Sequence, residues 1–346
     1  MYKSIIRPIL FLFPAELVHR FVSLTIKIFF FFFSIPQLIR QFYVIRNPQL
    51  SRVVGGLKFD NPVGLAAGFD KNANLFNEFS NFGFSFVEIG TVTPKAQPGN
   101  PKPRLFRLPK DKALINRMGI NNQGVDKIVK RLKKRNVNVM VGGNIGKNTI
   151  TLTSEAINDY IFCFKKLYNY VDYFVVNISC PNISNASELQ DKAFILRLLL
   201  RLVDLRANMV IKRPIFLKIS PDLNFSQIDD VIDIVKRSQI DGIVATNTTI
   251  KRQHLDTPFE KVTAIGNGGL SGKPINKRST EIIRYICEKS RNSFPVIGAG
   301  GIITPKDALE KLNAGASLVQ LYTGFIYEGP GIVKRINQYL LKNQKH

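Results

Sequence analysis

From Asn61 onward, short apolar runs alternate with longer amphipathic stretches, and this alternation constrains the fold more than any other feature of the chain. Nearly continuous runs rich in Val and Ile are typical of parallel strands that are buried on both faces. Eight strands are predicted, at Val63–Ala67, Ser85–Ile89, Asn138–Gly142, Tyr173–Ile178, Ile215–Ile219, Gly242–Ala245, Pro295–Gly298 and Ser317–Leu321. Eight strands with helical crossovers in roughly 280 residues predict an α/β fold of the (β/α)8 TIM-barrel type. A doubly wound open sheet is the alternative.

The segments between the predicted strands carry helix signals. Phe225–Gln239 places its apolar residues on one stripe, opposite Asp and Lys. Thr304-Pro305-Lys306-Asp307 supplies an N-cap, a proline at the first helical position and an acidic third residue, and Gly315 lies where that helix should end. Two long segments, Thr93–Gly119 and Ile250–Gly272, interrupt the repeat, and inserts of this length in a barrel usually build lids or site loops.

The composition excludes several classes of protein. A hydrophobic content of 45% excludes a disordered chain. The formal net charge of +24 is spread along the sequence without a zinc-finger, helix-turn-helix or RNP pattern, so nucleic acid is not expected as a partner. Three cysteines and three histidines show no metal-ligand spacing, and no protein-bound metal is expected.

Residues 1–50 differ from the remainder of the chain. Glu16 is their only acidic residue, and five consecutive phenylalanines occupy positions 29–33. Phe21–Ile39 has the length of a membrane span, but Lys27, Pro36 and other polar positions interrupt it, and no signal-peptide cleavage site follows.

This pattern predicts an amphipathic helical extension over residues 1–50 that lies in a membrane interface, followed by a catalytic barrel domain over residues 51–346. The alternative is a helix packed on the barrel's own surface. The expected location is the cytoplasmic side of the cell membrane, as a peripheral protein.

Polar residues follow every predicted strand, at the end where barrel enzymes carry their active sites. In chain order these are Ala67-Gly68 with Lys71, Gly90-Thr91, Asn144, Asn177–Asn182, Lys218, Thr246-Asn247-Thr248, Gly300-Gly301 and Tyr322-Thr323-Gly324. Asn, Thr and Gly are most often turn residues at such points. Their presence after all eight strands favours a shared binding site.

The residue types at the shared end of the eight strands, the mouth of the predicted barrel, indicate which ligand would bind there. Glycine turns after the seventh and eighth strands are typical of a phosphate site built from backbone N–H groups. Lys71 and Lys218 are placed to stabilise negative charge on a reduced cofactor or an anionic substrate. No G-x-G-x-x-G with an acidic partner is present, so a nicotinamide Rossmann site is not expected. A mononucleotide with a polar ring fits, and flavin mononucleotide (FMN) is such a ligand.

Cys180 is the candidate base or nucleophile of the mouth. An unperturbed thiol has a pKa of about 8.5, and cationic neighbours lower it, so its thiolate can accept a proton near neutral pH. The three histidines, His19, His254 and His346, lie away from the predicted strand ends, which disfavours acyl transfer of the papain type. Proton abstraction from carbon, coupled to hydride transfer, is the reaction that this arrangement favours.

Several stretches together carry a resemblance to a known family. They are Asn61–Lys71, Glu88–Pro94, Lys102–Leu108, Asn116–Gly119, Asn144–Asn148, Ala245–Thr249, Gly268–Gly272 and Ser317–Pro330. From about residue 1 to 340 the chain resembles the dihydroorotate dehydrogenases. Its extension, with Pro14–Arg20, resembles the quinone-dependent, membrane-associated class of that family.

The resemblance implies the oxidation of dihydroorotate to orotate, the fourth step of pyrimidine synthesis, with FMN as cofactor and a membrane quinone as acceptor. It assigns FMN contacts to Ala67, Gly68, Lys71, Thr91, Asn144, Asn177, Lys218, Thr246, Gly272, Gly301, Tyr322 and Thr323. It assigns substrate contacts to Lys71, Asn116, Arg117, Met118, Gly119, Ile120, Asn177, Asn182, Asn247 and Thr248. Asparagine amides suit a ring of alternating carbonyl and N–H groups because each amide both donates and accepts.

The resemblance also assigns chemical roles. Cys180 would remove the proton from C5 while hydride leaves C6, and Lys218 would balance charge on the reduced flavin. His19, Arg107 and Tyr322 would border the quinone path.

One residue departs from this pattern, because the quinone-dependent class usually has serine where this chain has Cys180, whereas the soluble class has cysteine. The alternatives are therefore a soluble-class dehydrogenase that uses fumarate or NAD, and a membrane-bound barrel that only binds a nucleotide.

Overall fold

The fold is that of a computed structural model, which describes residues 1–31, 34–135, 139–178 and 191–343. The strands are β1 Arg52–Val54, β2 Leu57–Phe59, β3 Val63–Asp70, β4 Phe86–Val92, β5 Leu105–Leu108, β6 Ala113–Asn116, β7 Met140–Ile145, β8 Tyr173–Asn177, β9 Ile215–Ile219, β10 Gly242–Ala245, β11 Gly269–Gly272, β12 Val296–Ala299 and β13 Leu318–Leu321. The helices are α1 Arg7–Phe11, α2 Ala15–Phe29, α3 Ser34–Tyr43, α4 Phe76–Phe79, α5 Val125–Leu132, α6 Ala156–Leu167, α7 Lys192–Ala207, α8 Phe225–Ser238, α9 Phe259–Ile265, α10 Asn276–Ser290, α11 Pro305–Asn313, α12 Thr323–Glu328 and α13 Ile332–Asn343.

Eight parallel strands close into a barrel in the order β3, β4, β7, β8, β9, β10, β12, β13 and back to β3. The predicted TIM barrel is confirmed, and the open doubly wound sheet is wrong because β13 pairs with β3 through Val319 and Val63. All eight predicted strands overlap the observed ones, although β3 runs three residues further than predicted, to Asp70. Gly68 therefore lies within the strand and not in the turn after it.

Two predicted helices show how the sequence sets their ends. Asn224 caps α8 through a capping box with Gln227, and α8 buries the predicted apolar stripe against the barrel. Thr304 caps α11 in the same manner with Asp307, as predicted. Such side chains satisfy backbone N–H groups that have no partner within the helix, and they fix where each helix begins.

Large aromatic rings fill the lower part of the barrel and form the floor under its mouth. Phe86 and Tyr173 point inward, and a Cβ added to Gly64 or Gly142 would lie 2.2 Å from one of these rings. Phe59 of the β1–β2 hairpin closes the bottom, with its ring 5.3 Å from that of Phe86. The glycines thus leave room for the rings, and the open space of the barrel lies at the other end.

The two inserts in the barrel repeat combine into one small antiparallel sheet of β5, β6 and β11. β6 pairs with β11 so that Asn116 faces Gly269 and Ala113 faces Gly272. Since 153 positions separate Asn116 from Gly269, this pairing joins parts of the chain that are far apart in sequence. It holds the segment after β6 and the glycines of β11 beside the barrel mouth.

Helices α1, α2 and α3 of the N-terminal segment pack on one side of the barrel. Tyr2 donates from its hydroxyl to the carbonyl of Ile326 (2.6 Å), and Arg7 donates to the carbonyl of Tyr327 (2.9 Å). Glu16 of α2 accepts from Arg104 of the first insert at 2.9 and 3.2 Å. No helix in the described ranges combines the length and apolar character needed to cross a membrane.

Candidate active site

A polar cavity of about 150 Å³ opens at the carboxyl ends of the barrel strands. Six of the eight barrel strands contribute to its lining, and Thr246, directly after β10, does so as well, whereas β7 contributes no residue. Its walls are Ala66, Ala67, Gly68, Lys71, Thr91, Asn116, Met118, Gly119, Ile120, Asn177, Lys218, Thr246, Asn247, Thr248, Ser271, Gly272, Ile275, Ala299, Gly300, Gly301, Ile302, Gln320, Tyr322, Thr323 and Gly324. The cavity lies where the carboxyl ends of parallel strands meet, as the sequence predicted.

Most of the predicted site residues in the described ranges line this cavity. Of the predicted cofactor contacts these are Ala67, Gly68, Lys71, Thr91, Asn177, Lys218, Thr246, Gly272, Gly301, Tyr322 and Thr323. Of the predicted substrate contacts they are Lys71, Asn116, Met118, Gly119, Ile120, Asn177, Asn247 and Thr248. Their individual roles stay predictions, but the fold brings them together.

Two predicted contact residues do not line the cavity. Arg117 turns its guanidinium toward α9, where it donates to the carbonyls of Ile265 and Asn267 and lies 4.7 Å from the ring of Phe106. Asn144 is fully buried behind Thr91. Both residues therefore support the walls of the cavity instead of forming them.

The predicted base Cys180 and the predicted substrate residue Asn182 lie outside the described residues. In the sequence both residues follow Asn177, the last residue of β8. Asn177 itself lines the cavity.

A buried carboxylate organises the floor of the cavity. Glu88 of β4 is fully buried and accepts hydrogen bonds from Asn144 Nδ2 (2.7 Å) and Gln320 Nε2 (2.5 Å). The ammonium of Lys218 lies 3.8 Å from the same carboxylate. A buried charge is tolerated when it is paired and hydrogen-bonded, so Glu88 and Lys218 hold each other in place.

A chain of side-chain hydrogen bonds continues from Glu88 to the cavity wall. The Thr91 hydroxyl donates to Asn144 Oδ1 (2.6 Å) and accepts from Asn177 Nδ2 (2.9 Å). These contacts fix which way the Asn177 amide faces. Sequence reasoning missed Glu88 and Gln320 as site residues, although an acidic residue within an otherwise apolar strand was a usable signal.

Two glycine turns lie against each other on one side of the cavity. A Cβ at Gly301 would lie 2.3 Å from the Cα of Asn276, and one at Gly324 would lie 2.0 Å from the carbonyl oxygen of Ile302. Asn276 also donates to the carbonyl of Gly301 (3.0 Å). Neither position therefore has room for a side chain, and glycines after the last two barrel strands are typical of phosphate-binding sites.

A second cavity, of about 300 Å³, lies between the N-terminal helices and the barrel, and most of its walls are apolar. Its lining comprises Tyr2, Ile6, Leu10, Phe11, Ala15, Val18, His19, Val22, Ser23, Ile26, Phe69, Leu75, Phe79, Phe82, Leu105, Arg107, Leu114, Tyr322, Phe325, Ile326, Gly329 and Pro330. His19, Arg107 and Tyr322, which were predicted to border one path, all lie on it. Tyr322 lines both cavities and so separates the polar site from the apolar one.

The polar groups of the second cavity have distinct electrostatic states. Burial, followed by the charge of Lys71, lowers the pKa of His19 to about 4, so its imidazole is neutral near pH 7. Burial raises the pKa of Tyr322 to about 12, so its hydroxyl keeps its proton. Arg107 donates to the carbonyl of Phe13 (2.6 Å), and its guanidinium lies 4.5 Å from the ring of Phe11. These three residues thus give the cavity one cation, Arg107, and two neutral polar groups, His19 and Tyr322.

Comparison with known proteins identifies the family. The family model for dihydroorotate dehydrogenase matches residues 49–343. Among curated relatives, a dihydroorotate dehydrogenase (quinone) of Christiangramia forsetii is 53% identical over 342 residues, 99% of each chain. One of Coxiella burnetii is 44% identical over 344 residues, 98% of this chain and 97% of the relative.

A solved structure agrees with these relatives. The crystal structure of DHODH in complex with ferulenol from Eimeria tenella superposes with a TM-score of 0.83 at 34% identity. The match covers 95% of this chain and 91% of that one. The barrel, the two cavities and these similarities lead to one conclusion: the chain belongs to the dihydroorotate dehydrogenase family.

Proposed function

We propose that this protein oxidises (S)-dihydroorotate to orotate, with FMN as cofactor and a membrane quinone as electron acceptor, in the fourth step of pyrimidine synthesis. The observation that carries this proposal is the pair of cavities, one polar and one apolar, that share Tyr322. An oxidation with two separate substrates of opposite polarity needs such a pair. The names of the relatives, dihydroorotate dehydrogenase (quinone), support the same reaction.

A flavin is the cofactor that the family implies, and the glycine turns favour its mononucleotide. Gly301 and Gly324 line the polar cavity after the last two barrel strands, where barrels commonly bind a phosphate through backbone N–H groups. Thr91, Asn177 and Lys218, which line the cavity floor, offer hydroxyl, amide and ammonium groups to a polar ring. When bound, the flavin supplies the hydride acceptor and passes the electrons on to the second substrate.

The substrate fits the other side of the polar cavity. Dihydroorotate has a ring of alternating carbonyl and N–H groups and carries a carboxylate. The amides of Asn116, Asn177 and Asn247 can satisfy the ring because each donates and accepts, and the ammonium of Lys71 offers charge to the carboxylate. Lys71 is held by Asn121, whose Oδ1 accepts from its Nζ at 2.5 Å.

Cys180 is the proposed base, with its thiolate removing the proton from C5 of the substrate. The resemblance carries this role, because Cys180 lies outside the described residues. His19 does not compete for the role, since it lines the apolar cavity and not the polar one. A positioned base of this kind accelerates proton abstraction by roughly 10²–10⁴.

The apolar cavity is the proposed quinone site. Its aliphatic and aromatic walls suit a quinone ring and its apolar tail, and Arg107 offers N–H donors to a quinone carbonyl. Tyr322, on the shared wall, would keep the quinone close to the flavin.

The outer face of α2 supports attachment to a membrane surface. Leu17, Phe21, Leu24 and Ile28 recur on one side of this helix, and each is more than half exposed. Arg20 and Lys27 flank this stripe with positive charge. An exposed apolar stripe with basic neighbours is typical of helices that lie in the membrane interface, and we place the protein on the cytoplasmic side of the cell membrane.

The experiment that tests the proposal is anaerobic mixing of the purified protein with dihydroorotate. The visible absorption of the flavin should bleach in one turnover without any acceptor, and orotate should form in a one-to-one ratio with the flavin. A protein that binds FMN but does not bleach would be a nucleotide-binding barrel and not this enzyme. A colourless protein that does not take up FMN would contradict the proposed cofactor.

A further inference from the structure

Lys311 of α11 is a lysine with no exposed surface, and its ammonium is held by neutral groups only. It donates to the hydroxyls of Ser279 (3.1 Å) and Thr280 (3.0 Å) and to the carbonyl of Asn276 (3.4 Å). Among the ion pairs formed by the described residues, none includes Lys311. A buried cation without an anionic partner is unfavourable, so this position calls for a negative charge nearby.

The same residues that hold Lys311 also hold the glycine turn after β12. Asn276 donates to the carbonyl of Gly301 (3.0 Å), and Ser279 donates to the carbonyl of Ala299 (2.6 Å). A Cβ at Gly300 would lie 3.2 Å from Ser279. Ala299, Gly300 and Gly301 form the wall of the polar cavity, so the ammonium lies directly behind that wall, on the side away from the ligand.

The charge of Lys311 is sensitive to its surroundings. Burial lowers the pKa of this lysine to about 7, against the opposing effect of Asp307 and Glu310 on its own helix. α10 presents hydroxyls and a carbonyl, β12 presents the backbone of Gly298, and neither α13 nor β13 contributes a charge that shifts this pKa. Near neutral pH the side chain is therefore close to its midpoint when no anion is bound.

We propose that Lys311 is a positioning residue of the phosphate site, whose ammonium supplies the positive charge for the phosphate of the bound mononucleotide from behind the turn. It acts through Ser279, Asn276 and the turn peptides and does not touch the ligand. The inference rests on the proposed FMN site, and it assigns a role to the phosphate end of the ligand alone. A phosphate dianion stabilises the ammonium, so binding draws a proton onto Lys311.

The test compares two flavins that differ only in the phosphate. The affinities of the flavin-free protein for FMN and for riboflavin are measured by fluorescence quenching in wild type and in Lys311→Met. Loss of one buried charge should weaken FMN binding by roughly 10- to 100-fold, while riboflavin binding changes by less than about threefold. Lys306→Met is the matched control, since Lys306 is on the same helix and its side chain is 74% exposed. It should leave both affinities unchanged.

Proton uptake gives a second measurement that needs no variant. From about pH 7 to pH 9 the phosphate remains a dianion while free Lys311 loses its proton, so FMN affinity should fall with rising pH, by up to about tenfold per unit. Riboflavin affinity should stay flat over the same range. If Lys311→Met does not fold, this profile decides the question.

If Lys311→Met lost as much affinity for riboflavin as for FMN, the proposal would be overturned, and Lys311 would be a purely structural residue. So would a flat pH profile for FMN in wild type. These outcomes differ from failure of the proposed function, in which the wild-type protein itself would not prefer FMN over riboflavin.

Discussion

The ion pair between Glu16 and Arg104 should control reoxidation of the cofactor without affecting its reduction. Glu16 belongs to α2, which walls the apolar cavity, and Arg104 belongs to the first insert, directly before β5. We expect Glu16→Gln to loosen α2 from the insert. The polar cavity, where dihydroorotate is proposed to bind, lies on the other side of Tyr322 and should not be affected.

The contacts of Glu16 set how much stabilisation the Glu16→Gln variant should lose. Two hydrogen bonds, of 2.9 and 3.2 Å, join the Glu16 carboxylate to the guanidinium of Arg104, a residue that is 5% exposed. Glutamine keeps one acceptor oxygen, and Arg104 keeps its bonds to the carbonyls of Pro98 and Asn100. The loss is therefore about that of one charge-assisted hydrogen bond, about 2 kcal/mol, or a factor of roughly 30 in the equilibrium between docked and undocked α2.

The loss of the ion pair in Glu16→Gln should be measurable at neutral pH, where Glu16 is ionised. Burial raises the pKa of Glu16, but Arg104, Lys102 and Arg20 together lower it more, so the pKa lies below its ordinary value. A depressed carboxyl pKa means that the pair contributes its full stabilisation above about pH 4.5 and loses it as the pH falls through the lower value.

The assay measures the two half-reactions separately by rapid mixing. In Glu16→Gln, reduction of the flavin by dihydroorotate should stay within about twofold of wild type, while the KM for quinone rises and the amides of α2 exchange hydrogen roughly 30-fold faster. Asp204→Asn is the control, because it removes an exposed carboxylate whose ion pair among the described residues is with Arg201, three residues earlier on the same helix. Unchanged quinone kinetics and unchanged exchange in α2 would refute the reasoning, as would an equal loss in both half-reactions.

Three further changes test other parts of the account. Glu88→Gln should lower the free energy of unfolding by about 3–5 kcal/mol, as measured in denaturant titrations, because the buried charge of Lys218 loses its partner. A loss below about 1 kcal/mol would contradict the stabilising role of the pair. Gly301→Ala should reduce FMN affinity far more than Gly56→Ala. Both glycines have a positive φ (+75° and +77°), but of the two only Gly301 lacks space for a Cβ. Equal FMN affinities in the two variants would contradict the close approach of backbone and phosphate. Cys180→Ala should slow flavin reduction by roughly 10²–10⁴-fold in single-turnover mixing. Cys180→Ser should keep activity, but the increase of its rate with pH should occur at higher pH. An unchanged rate in the alanine variant would rule out Cys180 as the base.

The sequence predicted the barrel well because its signals are local. Buried parallel strands read as short apolar runs, and Thr304 with Asp307 marked the start of α11. Residues at the strand ends, such as Lys218 and Thr246, were found by position alone, because closure of the barrel brings all strand ends to one mouth.

Features that depend on distant parts of the chain were not predictable. The pairing of Asn116 with Gly269 unites two inserts, and nothing local to either insert specifies the other. Arg117 was expected at the substrate, but its partners, Ile265 and Asn267, come from the second insert. Asn144 was expected at the cofactor, but it is buried, and its side chain is bonded to Thr91 and Glu88 of the neighbouring strand β4.

For the N-terminal extension, the sequence did not decide between two possible environments of one helix. Periodicity marked it as amphipathic, and the alternatives were a helix in the membrane interface and a helix on the barrel. α2 has two apolar faces, with Val18 and Val22 lining the second cavity and Leu17 and Phe21 exposed. Packing on the barrel is confirmed for one face, and attachment to a membrane remains a proposal for the other.

The most direct test of the central claim is a survey of electron acceptors on one preparation of the full-length protein that dihydroorotate has first reduced under anaerobic conditions. A membrane quinone should reoxidise the flavin rapidly, and neither fumarate nor NAD should do so at a comparable rate. This result is expected because the apolar cavity with His19 and Arg107 leads to Tyr322 at the wall of the polar site. Rapid reoxidation by fumarate or NAD, with quinone inactive, would contradict the account.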